Sequence, residues 1–87
     1  MALSLSILQA VEAVAETGSY TLAAERLGRT HGTISRAVAS VESELGGVRL
    51  FDRNQAGTEV TKVGARFVEE LRPGLAAIDA AVASASR

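Results

Sequence analysis

Hydrogen-bonding side chains cluster in one short stretch near the middle of the chain. The stretch contains Thr30, His31, Thr33 and Arg36, with Gly32 between them. Arginine binds guanine or phosphate through paired hydrogen bonds, and a threonine methyl fits the methyl group of thymine. Glycine lets a backbone approach a ligand closely. If these residues begin a helix, its N-terminal amides would also favour phosphate, so the stretch predicts contact with nucleic acid.

Each of these residues also has an explanation that needs no ligand. Thr30 can cap the helix, a role that is compatible with a phosphate contact. His31, Gly32 and Thr33 can be exposed helical residues without a role. Arg36 can pair with a serine one helical turn further along or stay solvated on the surface. The spacing alone leaves both interpretations open.

Three further residues complete the predicted DNA-contacting set. Arg53 follows an apolar segment and is expected to meet backbone phosphate or the minor groove, unless it forms a salt bridge with Asp52 or Glu42. Ser35 and Thr61 are the other two, and Ser35 is a weaker candidate, as are Arg29 and Lys62 outside the set. Tyr20, Phe51 and Phe67 lie in apolar patterns instead, so we expect them in the core rather than stacked on bases.

The sequence lacks the residues that most enzymes and metal sites need. It has no cysteine, which excludes disulfides, thiolate zinc sites and cysteine nucleophiles, and one histidine, which excludes most histidine-based metal sites. The best catalytic arrangement is His31 with Ser35, but Glu42 lies seven residues beyond the serine and cannot orient the imidazole. No glycine-rich phosphate loop is present. We therefore predict no enzymatic activity, no metal and no cofactor.

Charge is divided unevenly along the 87 residues, whose net charge is −1. The segment 26–66 carries seven basic and four acidic residues, whereas the rest carries two basic and six acidic residues. The middle segment therefore has a net charge of +3 and the remainder −4. A positive face is expected in the middle of the chain, as nucleic-acid binding requires.

Apolar periodicity and capping residues predict three helices in the first half of the chain. The first follows Ser4 as its N-cap and ends at Gly18, where glycine adopts the left-handed conformation easily. The second covers residues 22–27, after Thr21 as its cap and before Gly28. The third covers residues 30–45 with Thr30 as its cap, and its inward positions are Ile34, Val38, Val41 and Leu45.

The sequence pattern in the second half of the chain predicts a small hairpin and a long helix. The hairpin, at residues 48–60, has strands at 48–51 and 58–60 joined by a turn. Thr61 then caps a helix over 62–86, in which Pro73 is expected to produce a kink or a boundary. The fold class is mainly α: a winged helix-turn-helix of three helices plus a two-stranded wing at 1–61, followed by a long dimerisation helix at 62–87.

The long helix carries an apolar stripe with heptad-like spacing. Its members are Leu71, Leu75, Ile78 and Val82. Such a stripe serves either the domain's own packing or a dimer. Few residues of the chain remain beyond the hairpin to cover it, so we expect two copies to pair through it. The main alternative function is a winged-helix or helical protein-interaction module that does not bind DNA.

Five segments resemble the DNA-binding domain of the LysR-type transcriptional regulators. The family's E-x-G-S-F-T-x-A-A-E-x-L is similar to residues 16–27, ETGSYTLAAERL. Its A-L-S-R is similar to TISR at 33–36, and its L-E-x-x-L-G to VESELG at 41–46. Its R-L-F-x-R is matched at 49–53, and its G-x-x-L-T-x-x-G is similar to GTEVTKVG at 57–64. The ordered series of matches makes the resemblance specific.

The resemblance implies a double-stranded DNA-binding domain with a linker helix, from which the family's larger effector-sensing domain is missing. It implies a cytoplasmic, nucleoid-associated protein, and no apolar stretch approaches the ~20 residues of a membrane span. Three departures stand out. Arg29 replaces a usually apolar residue, His31 and Gly32 replace the common Gln-Pro, and Gly47 is an extra residue before the wing. Base preference is therefore not carried over.

Overall fold

The computed structural model describes residues 3–87, so the first two residues of the predicted domain 1–61 lie outside the described part. Four helices and one two-stranded sheet follow each other along the chain. They are α1 (Leu5–Thr17), α2 (Tyr20–Leu27), α3 (His31–Glu44), β1 (Phe51–Asn54), β2 (Gly57–Val60) and α4 (Lys62–Ala85). The predicted fold class, a mainly helical winged helix-turn-helix with a long C-terminal helix, is confirmed.

Local capping fixes where the first three helices begin and end. The Ser4 and Thr30 hydroxyls accept backbone N–H groups at the starts of α1 and α3, as predicted. Gly18 and Gly28 end α1 and α2 in the left-handed conformation. The predicted cap of α2 is wrong: Ser19, not Thr21, accepts the Leu22 N–H at 3.1 Å. The earlier start places Tyr20 inside the helix, with its ring in the core.

The core lies between α1, α2 and α3 and extends under the wing. Ala10, Val11 and Val14 of α1 are fully enclosed together with Ile34 and Val41 of α3. Val11 and Val14 are three residues apart, and Ile34, Val38 and Val41 are spaced by four and three, so each helix has one inward stripe. Leu45, predicted to face inward, is 37% exposed. It is the C-cap residue beyond Glu44, at the very end of the helix.

The strands are displaced from their predicted positions. β1 covers Phe51–Asn54 rather than 48–51, and it pairs with β2 from Phe51↔Val60 to Asn54↔Gly57. Leu50 and Phe51 are both buried, so the alternation expected of a strand does not hold there. The Leu50 backbone bonds outside the hairpin, because its N–H donates to the Glu42 carboxylate at 2.8 Å and its carbonyl accepts the Thr61 N–H at 2.9 Å.

Helix α4 continues through Pro73 as one element, so the boundary expected there is absent. Proline removes a single backbone hydrogen bond, and this residue is exposed, where its ring meets solvent. Val68 is buried in the core, and an Arg72–Glu12 ion pair at 3.4 Å ties α4 to α1. The division of the chain at residue 61 stays a prediction, although the first part of α4 shares the core of the preceding helices.

Gly64 lets α4 approach the wing more closely than any other residue type would. A Cβ at this position would overlap the Leu50 carbonyl oxygen and lie 3.0 Å from Val60 Cγ2. The Thr61 hydroxyl, one turn earlier, accepts the Gly64 N–H at 3.0 Å and donates to the Arg49 carbonyl at 2.7 Å. This junction fixes the wing against the start of α4.

The contact between α1 and α4 makes stability depend on pH. Burial raises the pKa of the Glu12 carboxyl above 4.5, and the neighbouring Glu16 raises it further, whereas Arg72 lowers it. The folded state then holds a proton that the unfolded state has lost, so the free energy of unfolding falls as pH rises from 4.5 through the raised pKa. We expect Glu12→Gln to remove this fall and to be the more stable protein at neutral pH.

Urea unfolding of both proteins on either side of that interval checks this expectation. A Glu12→Gln variant that is less stable at neutral pH would show that the Arg72 ion pair outweighs the burial of the carboxyl group.

Candidate nucleic-acid interface

The first turn of α3 holds its polar side chains in a fixed chain of contacts. The Thr30 hydroxyl accepts the Thr33 N–H at 3.2 Å, and the two threonine hydroxyls are 2.9 Å apart. Arg36 Nη2 lies 3.4 Å from Thr33 Oγ1. His31 and Gly32 are exposed beside them. Thr30 is therefore the helix cap, and Arg36 extends from the same exposed end of the helix.

The Arg36 guanidinium bonds neither to Ser40 nor to a carboxylate among residues 3–87. The Ser40 hydroxyl donates to the Arg36 carbonyl at 3.0 Å and leaves the guanidinium alone. Within residues 3–87, no carboxylate forms an ion pair with Arg36. Its charge is available to a ligand.

Gly32 has no structural requirement to be glycine. A Cβ there would meet only the flexible end of the Arg36 side chain, Nη1, at 3.3 Å. Glycine in a helix costs about 0.5–1 kcal/mol relative to alanine. A ligand that approaches this turn of α3 closely would explain why glycine is present in spite of that cost.

The wing places Arg53 beside α3. Its guanidinium carbon lies 3.6 Å from the centroid of the Tyr20 ring, and Nη2 donates to Ser35 Oγ at 3.3 Å. The alternative salt bridge to Glu42 is not formed, because that carboxylate bonds the Leu50 N–H and pairs with Arg49 at 3.6 Å. Tyr20 lies in the core as predicted and is only 7% exposed, whereas its contact with Arg53 was not predicted.

Thr61, the remaining predicted contact, has an evident structural role. Its hydroxyl caps α4 and donates to the backbone before β1, so it joins the wing to α4. Whether it also meets DNA stays a prediction. Thr30, His31, Gly32, Thr33 and Arg36 are therefore grouped on one helix end, Ser35 and Arg53 are in contact, and Thr61 belongs to the junction.

Ion pairs engage some of the basic residues of the middle segment and leave others without a carboxylate partner. Three basic residues of the middle segment pair with carboxylates: Arg26 with Glu16 at 3.4 Å, Arg49 with Glu42 at 3.6 Å, and Arg66 with Glu70 at 3.9 Å. A fourth, Arg29, donates to the Ser6 carbonyl at 3.2 Å. Arg36 and Arg53 have no such ion pair within the described residues. Lys62, at the start of α4, also has no ion pair there, so Arg36 and Arg53 are, besides Arg29, two of three such basic residues in the segment, and both lie at the predicted interface.

Residues 5–65 match the family model described as "Bacterial regulatory helix-turn-helix protein, lysR family". The match covers well over half of the chain. The protein belongs to the LysR family. The HTH-type transcriptional regulator TrpI of Pseudomonas aeruginosa is 46% identical to this LysR-family chain over 64 residues, which are 74% of the chain and 21% of TrpI.

Two solved structures with DNA share the fold. The CbnR_DBD–DNA complex matches with a TM-score of 0.84 and 32% identity over 98% of this chain and 100% of that one. The BenM_DBD/catB site 1 DNA complex matches with a TM-score of 0.89 and 29% identity over 98% of this chain and 94% of that one. The chain is thus a LysR-type winged helix-turn-helix domain.

The chain spans about a fifth of the length of TrpI and of two further curated relatives that it matches. Those relatives are named as transcriptional regulators, which supports the prediction that this LysR-family domain is not an enzyme. Among the helices of residues 3–87, none combines the length and the apolar character that crossing a membrane requires.

Proposed function

We propose that α3 enters the major groove of double-stranded DNA while the wing follows the adjacent phosphate backbone. The observation that carries this proposal is the pair of arginines, Arg36 on α3 and Arg53 on β1, which have no ion pair on the surface where the two elements meet. An α-helix fits the major groove, and residues near its N-terminus reach base edges. The complexes of CbnR_DBD and BenM_DBD with DNA support the same use of this fold.

The side chains divide into base-reading and positioning groups. Arg36, together with Thr33 and His31, lies at the exposed end of α3 and is assigned to base edges. Arg53 is held on the Tyr20 ring and hydrogen-bonded to Ser35, and is assigned to phosphate. Gly32, which has no side chain, lets the DNA approach the first turn of α3 closely. Thr30 and Thr61 contribute mainly through the helix starts that they cap, with a phosphate contact as a second role.

The working unit is a homodimer formed through α4. Leu71 and Leu75 are half-buried on the chain's own helices, whereas Ile78 and Val82 are 43% and 62% exposed. The part of the apolar stripe beyond Leu75 therefore has little cover within the chain. A two-fold dimer would bury it and would place two recognition helices in successive major grooves, about 34 Å apart. The complete regulator would then act on transcription in the cytoplasm, at the nucleoid.

Duplex binding at a series of salt concentrations tests this assignment, with a target selected from a random pool. Each phosphate neutralised contributes about −0.9 to the slope of log K against log salt. Arg53→Ala should reduce the slope by about that amount and weaken all sequences alike. Arg36→Ala should cost about 1–3 kcal/mol on the selected site and relax preference at one base pair.

Arg66→Ala is the matched control, because this exposed arginine lies on α4 and pairs with Glu70. It should bind like the unmodified chain. Absence of duplex binding at low salt would contradict the proposed function and favour a protein-interaction module. Normal binding by both folded arginine variants would place the DNA on another face.

A further inference from the structure

A small polar pocket lies where the turn before α2, the start of α3 and the wing meet. Its volume is about 240 Å³, and its lining includes Ser19, Tyr20, His31, Arg53 and Thr58. None of the lining residues is acidic, and one is a permanent cation. Tyr20 and Thr21 at the start of α2 also line it, and the first amides of a helix have no partner within the helix. The pocket is therefore suited to an anionic group.

Tyr20, one of the residues that line this pocket, carries a hydroxyl group. Its ring is enclosed by the Arg53 guanidinium, the edge of Phe51 at 6.2 Å and the His31 ring at 5.7 Å between centroids. The side chain is more than nine-tenths buried, yet its hydroxyl makes no hydrogen bond within residues 3–87. A buried tyrosine hydroxyl usually has a partner. No enclosed side-chain oxygen or nitrogen in the described part lacks one, so this hydroxyl is in contact with solvent, and Tyr20 is one of the residues that line the pocket.

We propose that this pocket binds one backbone phosphate of the DNA and that the Tyr20 hydroxyl donates a hydrogen bond to it. The inference rests on the proposed function and adds Tyr20, a residue that the predicted set of DNA contacts does not contain. Hydrogen bonds from O–H to an anionic oxygen are short and strong. The Tyr20 ring occupies one face of the Arg53 guanidinium and Ser35 accepts a hydrogen bond from Nη2, while the other N–H groups of the guanidinium make no hydrogen bond within residues 3–87. The same phosphate would then receive the charge of Arg53 and the hydroxyl of Tyr20.

Tyr20→Phe isolates the hydroxyl, since it preserves the ring that packs on Phe51 and Arg53. The LysR motif similar to residues 16–27 has phenylalanine at this position, so the variant is expected to fold with an unchanged urea midpoint. Binding to the selected duplex should be about threefold to tenfold weaker. The salt slope should stay the same, because a neutral donor releases no counterion, whereas Arg53→Ala lowers it by about 0.9.

Duplexes with a single neutral methylphosphonate at successive positions locate the contact. When the methylphosphonate replaces the contacted phosphate of the half-site, the unmodified chain should lose affinity. On that duplex the unmodified chain and the Tyr20→Phe variant should bind with equal affinity. Equal binding of the two proteins to the natural duplex overturns the inference while the proposed function stands. The inference is also overturned, and the proposed function still stands, if Tyr20→Phe binds every methylphosphonate duplex more weakly than the unmodified chain does. Failure of the unmodified chain to bind any duplex overturns both.

Discussion

Replacing Gly64 with alanine is expected to lower the free energy of unfolding by about 3 kcal/mol or more, the upper end of what overpacking costs. The added Cβ would overlap the Leu50 carbonyl oxygen and press on Val60 Cγ2. The overlap cannot be relieved by a side-chain rotation, because the atom it meets belongs to the backbone. That carbonyl also accepts the Thr61 N–H, so a shift of α4 breaks the bond between the wing and the helix.

Urea unfolding followed by circular dichroism measures this effect, with Gly74→Ala as the matched control. Gly74 lies on the same helix, and a Cβ there meets nothing within 4 Å. The control should gain up to about 1 kcal/mol from the better helix propensity of alanine. Equal unfolding midpoints for Gly64→Ala and the unmodified chain would contradict the close approach. A folded fraction of Gly64→Ala should also bind DNA weakly, because the wing carries Arg53.

Replacing Ile78 with aspartate is expected to abolish the dimer and to weaken binding to a two-half-site duplex by about 100-fold or more, since linked binding supplies factors of that size. Ile78 lies on the exposed part of the apolar stripe of α4, 43% accessible in the single chain. Two copies that pair there would enclose the introduced carboxylate without a partner, which is strongly unfavourable. The helix-turn-helix core lies elsewhere and should keep its stability.

Sedimentation and binding to one-half-site and two-half-site duplexes check this expectation. Ala80→Asp is the control, because helical periodicity places Ala80 on the face opposite the apolar stripe. It should remain dimeric and bind both duplexes normally, whereas Ile78→Asp should keep most of its affinity for one half-site. A monomeric unmodified chain at high micromolar concentration would refute the dimer.

Short-range signals in the sequence determined most of the helical framework. Ser4, Thr30 and Thr61 cap helices through bonds to amides three residues away, and Gly18 and Gly28 end helices through their own backbone conformation. Such signals are complete within one or two turns and need no tertiary contact. The ordered resemblance to LysR-type regulators was also readable without a structure. It led to the family that the comparisons confirm.

Tertiary contacts decided the features that the sequence analysis missed. Strand β1 begins at Phe51 because the Leu50 backbone bonds to Glu42 on α3 and to Thr61, the cap of α4. Arg53 is positioned by Tyr20 and Ser35, the latter 18 residues away, and neither contact leaves a periodic pattern. Gly64 resembled part of a motif, but only the packing of α4 on the wing shows what its missing side chain allows. Residue type and spacing encode local conformation, whereas the geometry of this site depends on how separate elements meet.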